Sequence, residues 1–204
     1  MNLNNNNINQ KTLSRAFYEV MNDLAKAEDD PILLGWRDRS SQLNRFEVFL
    51  DYVQNGDRVL DFGSGLSDLY GFLKENDINV DYTGVDIMPE FIKIAKERYG
   101  DDIRVINTNI LYFFEKFEWT YASGVFSIGF DEKQLIEHLQ HFLSISDVGV
   151  CINLLDKSHF TGEVQVSFDK EELIGRLTQE FDNVTINVVD DYSEDDFSLI
   201  LVKK

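Results

Sequence analysis

Residues 59–65, Val-Leu-Asp-Phe-Gly-Ser-Gly, constrain the fold of this chain more than any other stretch. Val59 and Leu60 follow the turn-forming run Gln54-Asn55-Gly56-Asp57 and read as a buried strand. Asp61 falls at that strand's carboxyl end. Gly63 and Gly65 permit a tight turn whose backbone can approach a ligand where a side chain would block it. From Leu66 onward, Leu69, Tyr70, Phe72 and Leu73 repeat at helical spacing. Strand, glycine turn and helix in this order form the crevice of a doubly wound sheet.

The alternation continues to the end of the chain. Strands are expected near residues 58–62, 81–86, 103–107, 118–123, 148–154, 184–190 and 197–202, with helices near 66–76, 89–99, 131–143 and 169–181. A short helix or turn at 111–117 bridges the third and fourth strands. Only the acidic loop Asp190-Asp191-Tyr192-Ser193-Glu194-Asp195-Asp196 separates the last two strands. It is too short for a helical crossover, so the final strand must run antiparallel. The expected fold is α/β and Rossmann-like: a doubly wound, seven-stranded, mainly parallel sheet with an antiparallel last strand and helices on both faces.

Upstream, residues 1–11 are rich in Asn and Gln and read as a disordered polar tail. Leu13, Phe17, Val20, Met21 and Leu24 form an apolar stripe on a first helix, ended by Asp29-Asp30-Pro31. Ser40 or Ser41 would cap a second helix carrying Leu43, Phe46, Val48, Phe49 and Leu50. Residues 12–204 are read as one domain, in which 12–55 supply helices over the site and 56–204 the core. With 204 residues, 43% of them apolar, the chain can bury one substantial core.

The turn discriminates among nucleotides. A dinucleotide site wants a third glycine three residues after Gly65, and that position is Asp68. Asp61 and Asp68 together would repel a pyrophosphate, whereas a sulfonium ligand with an ammonium group suits an acidic rim. No Gly-Lys-Ser/Thr follows the turn, so it is not a P-loop. Asp86 closes the strand Tyr82-Thr83-Gly84-Val85 where an acid accepts hydrogen bonds from both ribose hydroxyls, and Pro89 opens the next helix. An ordinary strand-to-helix turn and a helix-capping Asp86 are the alternative, and it must explain each piece separately.

Taken together, residues 59–65, 82–86 and 105–110 resemble the first three signature segments of class I S-adenosylmethionine-dependent methyltransferases of small bacterial and phage type, within a match over residues 45–204. The resemblance implies S-adenosyl-L-methionine as cofactor. It places Asp61, Phe62, Gly63, Ser64 and Gly65 around the amino-acid part, Asp86, Ile87 and Met88 at the ribose, and Asn109 and Ile110 at the adenine. Family members commonly carry an acid where Asn109 stands; its amide oxygen can accept the same bond, and a strand-ending turn residue is the other reading. Ser123 and Gly124, with Phe126, would form the floor beneath the methionine part, or Ser123 would be a satisfied strand-end hydroxyl. Arg45 would pair with the cofactor carboxylate and Trp36 close over it, against plain packing and surface roles.

Catalytic groups are harder to read, because methyl transfer needs little beyond an in-line nucleophile held roughly 3 Å away. His159, Asn153 and Tyr192 are the candidates near the substrate entrance. His138 and His141 lie three apart on one helix and read as a solvated face; no metal site is expected. Cys151, the single cysteine, sits in an apolar strand and reads as a buried, inert thiol. A net charge of −18 disfavours a duplex nucleic-acid substrate, and neither Pro31 nor Pro89 belongs to the catalytic motif of amino-directed DNA methyltransferases. No apolar run approaches ~20 residues and no basic-then-apolar leader opens the chain, so no membrane association and a cytoplasmic location are expected. The expected function is methyl transfer to a small-molecule acceptor; the alternative is a non-catalytic cofactor-binding subunit or sensor of the same fold. Acceptor and oligomeric state are open at this stage.

Overall fold

Alternate residues of the central strand face opposite layers, and this period of two organises the molecule. The computed structural model describes residues 3–25, 31–108, 113–159 and 165–204, with side chains from Thr12 onward. β1 (Arg58–Phe62) pairs in parallel with β2 (Asp81–Asp86) on one side and β4 (Phe117–Ala122) on the other. β3 (Arg104–Asn107) lies outside β2; β5 (Ser146–Leu155), β7 (Asp196–Lys203) and β6 (Val184–Val189) continue beyond β4. The order is β3-β2-β1-β4-β5-β7-β6, and β7 alone runs against its neighbours, as the short acidic loop requires.

Val59 points into one apolar layer, Leu60 and Phe62 into the other. The Val59 layer is closed by α2 (Arg39–Leu50), α3 (Asp68–Glu75) and α4 (Pro89–Tyr99), through Phe46, Phe49, Leu69, Phe72, Leu73 and Ile92. Opposite it, α5 (Glu132–Ile145) and α6 (Lys170–Glu180) contribute Leu135, Leu139, Phe142, Leu173 and Leu177. Covered on both faces, β1 buries four consecutive residues, the mark of a central parallel strand.

Several boundaries differ from the sequence reading for local reasons. α1 spans Leu3–Leu24 and so runs through the stretch expected to be a disordered tail. Asn and Gln cost a helix less than ~0.7 kcal/mol each, and no Gly or Pro interrupts the run. Its inward residues are Ser14, Phe17, Tyr18 and Met21, while Leu13, Val20 and Leu24 of the predicted stripe stand exposed. α2 is capped by Asp38 rather than by Ser40 or Ser41: the carboxylate accepts the Ser41 N–H at 2.7 Å, and Ser41 closes the capping box. α3 begins at Asp68, not Leu66, because Ser67 takes a left-handed backbone at φ 59°.

His138 is a core residue, not part of a solvated face. It packs among Phe62, Phe126, Phe130 and Phe142, its Nδ1 lies 2.7 Å from the Gln134 carbonyl, and burial lowers its pKa. His141 is half-buried with Nε2 2.9 Å from the Phe113 carbonyl. Cys151 is buried, which pushes its thiol pKa up and keeps it protonated. Phe142 is fully buried and touches Phe62 at a ring separation of 5.2 Å. Phe142→Ala is expected to lower unfolding stability by about 3–5 kcal/mol, read as a shift of the urea midpoint without a change of slope.

Candidate functional site

The connection from β1 runs outward to β2, and the chain later returns to β4 on the other side. The carboxyl ends of β1 and β4 therefore part at a topological switch point and leave a crevice between them. Gly63 and Gly65 turn the chain there with φ of 70° and 52°. A Cβ on Gly63 would stand 2.3 Å from Val125 Cγ2, so only glycine fits. The Gly63 and Ser64 N–H groups donate to the Val85 carbonyl at 2.8 and 3.1 Å, which ties the turn to β2. The Ser64 hydroxyl is buried and has no partner.

Two buried carboxylates flank this turn. Asp86, ending β2, accepts the Gly65 N–H on Oδ2 at 2.9 Å and the Met88 N–H on Oδ1 at 2.7 Å. Burial raises its pKa to about 6 against the pull of those N–H groups. Each oxygen keeps a second lone pair for a further donor. Asp61 follows Val59 on the same face of β1 and accepts the Tyr82 hydroxyl on Oδ2 at 2.5 Å. Its pKa is pushed up to about 7, first by burial, with the Tyr82 bond opposing and Asp86 adding. Asp68 is different from the sequence expectation: Arg98 at 2.8 Å, Arg39 at 3.6 Å and the Gln42 amide at 3.0 Å neutralise it. The acidic rim is thus Asp61 with Asp86, not Asp61 with Asp68.

A roof covers the crevice. Tyr18 of α1, Leu34 of the 3-10 turn Pro31–Leu34, and Trp36 line it together with Gln42, Tyr121, Ser123 and Gly124. Leu34 fills the space beside Gly65, where a Cβ would come within 2.9 Å of its Cδ2. Tyr18 has its hydroxyl pKa raised by burial and then by the nearby Asp86 charge. Trp36 lies against Gly124, and its indole N–H is buried without a partner. Neither Tyr18 nor Leu34 stands out in the sequence, since Tyr18 lies one residue off the apolar stripe of α1 and Leu34 lies in a short turn.

The remaining candidates divide clearly. Phe62 and Phe126 do not line the crevice: they pack in the α5 layer, because Phe62 alternates with Asp61 on β1 and Phe126 folds back under Phe130. Ile87 and Met88 join an apolar cluster with Leu33, Leu66 and Phe91, and Met88 contributes its backbone N–H to Asp86. Asn109 and Ile110 lie outside the described residues. Arg45 is not available to a cofactor carboxylate: it is buried, ion-paired with Asp196, bonded to the Ser41 carbonyl at 2.6 Å, and stacked 4.6 Å over the Trp36 ring.

Beyond Trp36 and Gly124 lies a second space of about 160 Å³, bounded among others by Phe17, Ser127, Ile128 and Asn153. Asn153 is fixed there, its amide donating to the Tyr192 hydroxyl at 2.7 Å; Tyr192 also meets Ser198 Oγ at 2.9 Å. With both partners in place and burial raising its pKa, the Tyr192 phenol is not a poised base. His159 sits apart on an exposed turn, in an outer groove, with Nδ1 3.0 Å from Ser158 Oγ. Among the described residues, no cluster of His, Cys, Asp and Glu is arranged to hold a metal ion, and no helix is long and apolar enough to cross a membrane.

No protein-family model and no curated protein matches this chain by sequence. Solved structures do match by fold. The magnesium protoporphyrin IX methyltransferase of Synechocystis, crystallised with S-adenosylmethionine, superposes with a TM-score of 0.69 at 14% identity, over 96% of this chain and 97% of that one. The N-methyltransferase NodS of Bradyrhizobium japonicum, in complex with S-adenosyl-L-homocysteine, gives 0.65 at 18% identity, over 91% and 97%. A TehB-like S-adenosylmethionine-dependent methyltransferase of Corynebacterium glutamicum gives 0.63 at 15%, over 94% and 98%. Sheet order, reversed β7 and these likenesses agree: the chain has the fold of the class I S-adenosylmethionine-dependent methyltransferases.

Proposed function

We propose that this protein is an S-adenosylmethionine-dependent methyltransferase with a small-molecule acceptor. One observation carries the reading: two buried carboxylates, Asp61 and Asp86, stand at adjacent strand ends around a glycine turn. Their burial is costly without a donor-rich, cationic ligand. The unpartnered Ser64 hydroxyl in the left-handed turn at Gly63 and Gly65 supports a place there for the amino-acid part of such a cofactor. In this reading Asp61 faces the cofactor ammonium, Asp86 offers its spare lone pairs to the ribose hydroxyls, and Asn109 with Ile110 receives the adenine. Ser123 and Gly124 form the floor, and Trp36 closes the roof.

The bound cofactor supplies an electrophilic methyl group. The chain supplies positioning and dryness: Tyr18, Leu34 and Trp36 exclude water, and the space beyond Gly124 holds the acceptor in line. Of the candidate bases, His159 lies in the outer groove and Tyr192 is held by Asn153 and Ser198, so an acceptor with an available lone pair suits the space best. A fold neighbour named for magnesium protoporphyrin IX, a small molecule, agrees with an acceptor of that kind.

Calorimetry with S-adenosylhomocysteine tests the assignment. Asp86→Ala is expected to weaken binding by more than about a hundredfold, ~2.7 kcal/mol; an unchanged affinity would remove the ribose assignment. Asp61 makes a prediction in pH. The ammonium needs its ionised form, so affinity should rise with pH through about 7 and then level off. Stability of the ligand-free protein should move the other way. A carboxyl whose folded pKa is raised stabilises below its unfolded value near 4, and that contribution is lost as pH rises through about 7. Asp61→Asn should therefore flatten both profiles, stabilise the free protein at pH 8 by roughly a few kcal/mol, and weaken the cofactor. A variant that binds as tightly as wild type at pH 8 contradicts the role given to Asp61.

A further inference from the structure

We propose that Tyr82 is a positioning residue of the cofactor site: its buried hydroxyl tethers one oxygen of Asp61 and leaves the other for the ammonium of the cofactor. This rests on the methyltransferase reading and adds to it the group that orients Asp61. In the pairing of β1 with β2, Val59 stands opposite Tyr82 and Asp61 opposite Gly84. Period two puts all four on one face of the sheet, the face whose apolar layer contains Val59 and Tyr82. Gly84 offers no side chain to Asp61, and a Cβ there would stand 2.8 Å from the Ser64 hydroxyl oxygen. The carboxylate is met instead by the next residue along that face. Tyr82 is 2% exposed, and its hydroxyl donates to Asp61 Oδ2 at 2.5 Å. Its ring packs against Tyr70 at 5.4 Å, and Tyr70 meets Tyr99 at 5.1 Å, so the hydroxyl is anchored by a packed aromatic row.

One oxygen of Asp61 is thereby committed. Oδ1 accepts no hydrogen bond among the described residues, and the carboxylate lines the crevice. None of the other charged or titratable groups around Asp61 donates to it. Asp86 on β2 is a like charge and takes the Gly65 and Met88 N–H groups. Asp68 of α3 is held by Arg98 and Arg39. Tyr121 of β4 turns its hydroxyl to the Arg45 carbonyl at 3.3 Å, and Tyr18 of α1 feels the Asp86 charge.

A phenol suits this place chemically. Burial pushes the Tyr82 hydroxyl well above its ordinary pKa, so it stays a donor. Its bond favours the ionised carboxylate, against the burial that pushes Asp61 up to about 7. The tether also fixes the carboxylate before the ligand arrives, so less freedom is lost on binding.

Tyr82→Phe keeps the ring and removes only the hydroxyl. The affinity for S-adenosylhomocysteine, measured by calorimetry across neutral pH, should still rise with pH. Its midpoint should move upward by about one unit, which weakens binding about fivefold at pH 7 through the smaller ionised fraction. Tyr70→Phe takes a hydroxyl from the same aromatic row and should leave the midpoint in place. A fluorinated tyrosine at position 82, a stronger donor of nearly the same size, should move it downward and tests the bond with ring and hydroxyl both present. In the Asp61→Asn background, Tyr82→Phe should cost no further affinity. An unmoved midpoint in Tyr82→Phe, an equal shift in Tyr70→Phe, or additive losses with Asp61→Asn would each overturn the proposal. NMR titration of the Asp61 carboxyl carbon in the ligand-free protein keeps the two readings apart. If S-adenosylhomocysteine binds not even the wild type, the cofactor reading falls and the positioning role falls with it. An Asp61 titration that does not move upward in Tyr82→Phe removes the tether alone.

Discussion

The geometry of the site depends on a carboxylate held by its own backbone. Asp86 ends one strand and accepts the N–H of Gly65 from the turn that leaves the next, so a single side chain sets how far the glycine turn stands from β2. The Val85 carbonyl, one residue earlier, holds Gly63 and Ser64 in the same way. These bonds do not make the site comfortable. Burial still lifts the Asp86 pKa to about 6, which means that the charged form costs the folded protein more than the N–H groups return. Asp61, buried beside the same turn, has its pKa raised to about 7, first by burial, and adds to that cost. In the proposed function, the donors of the cofactor offset that cost.

The roof is coupled to the far side of the sheet through Arg45. Its guanidinium is wedged between the Trp36 ring and the Asp196 carboxylate, and it also holds the Ser41 carbonyl. One buried cation thus links the segment over the crevice, the first turns of α2 and the start of β7. Removing either partner would leave an uncompensated charge in the interior, a loss of about 3–5 kcal/mol for buried pairs. Arg45 thus joins Trp36 at the crevice to Asp196 in the wall of the inner space.

What the sequence made legible was local or periodic. Strand positions, the glycine turn, the reversed last strand and Asp86 all follow from short-range patterns, and the structure has them within a residue or two. What it concealed was set by contacts between distant residues. Asp68 looks like part of an acidic rim until Arg98 and Arg39 arrive from other helices. Arg45 looks free for a ligand until Asp196, far along the chain, takes it. His138 reads as a surface residue because the polar residues around it on α5 hide that its own side faces four phenylalanines. Phe62 was within reach of a stricter reading: its neighbour Asp61 faces the crevice, so period two sends Phe62 to the other layer.

The reversal of β7 has a consequence for chemistry as well as for topology. β6 runs with the parallel strands, so it ends at the carboxyl edge of the sheet, where the crevice lies. A seventh strand entering in parallel would have to start at the opposite edge, and its first residue would be a full strand length from the site. Because β7 runs back, its first residue, Asp196, pairs with Leu155 at the end of β5, and the acidic loop before it lands at the mouth of the inner space. The hairpin thereby brings a buried carboxylate and a cluster of exposed ones to the carboxyl edge of the sheet without a crossover helix. Asp61 and Asp86 thus stand on one side of the switch point, and the carboxylates of the hairpin, with Asp196 held by Arg45, stand on the other.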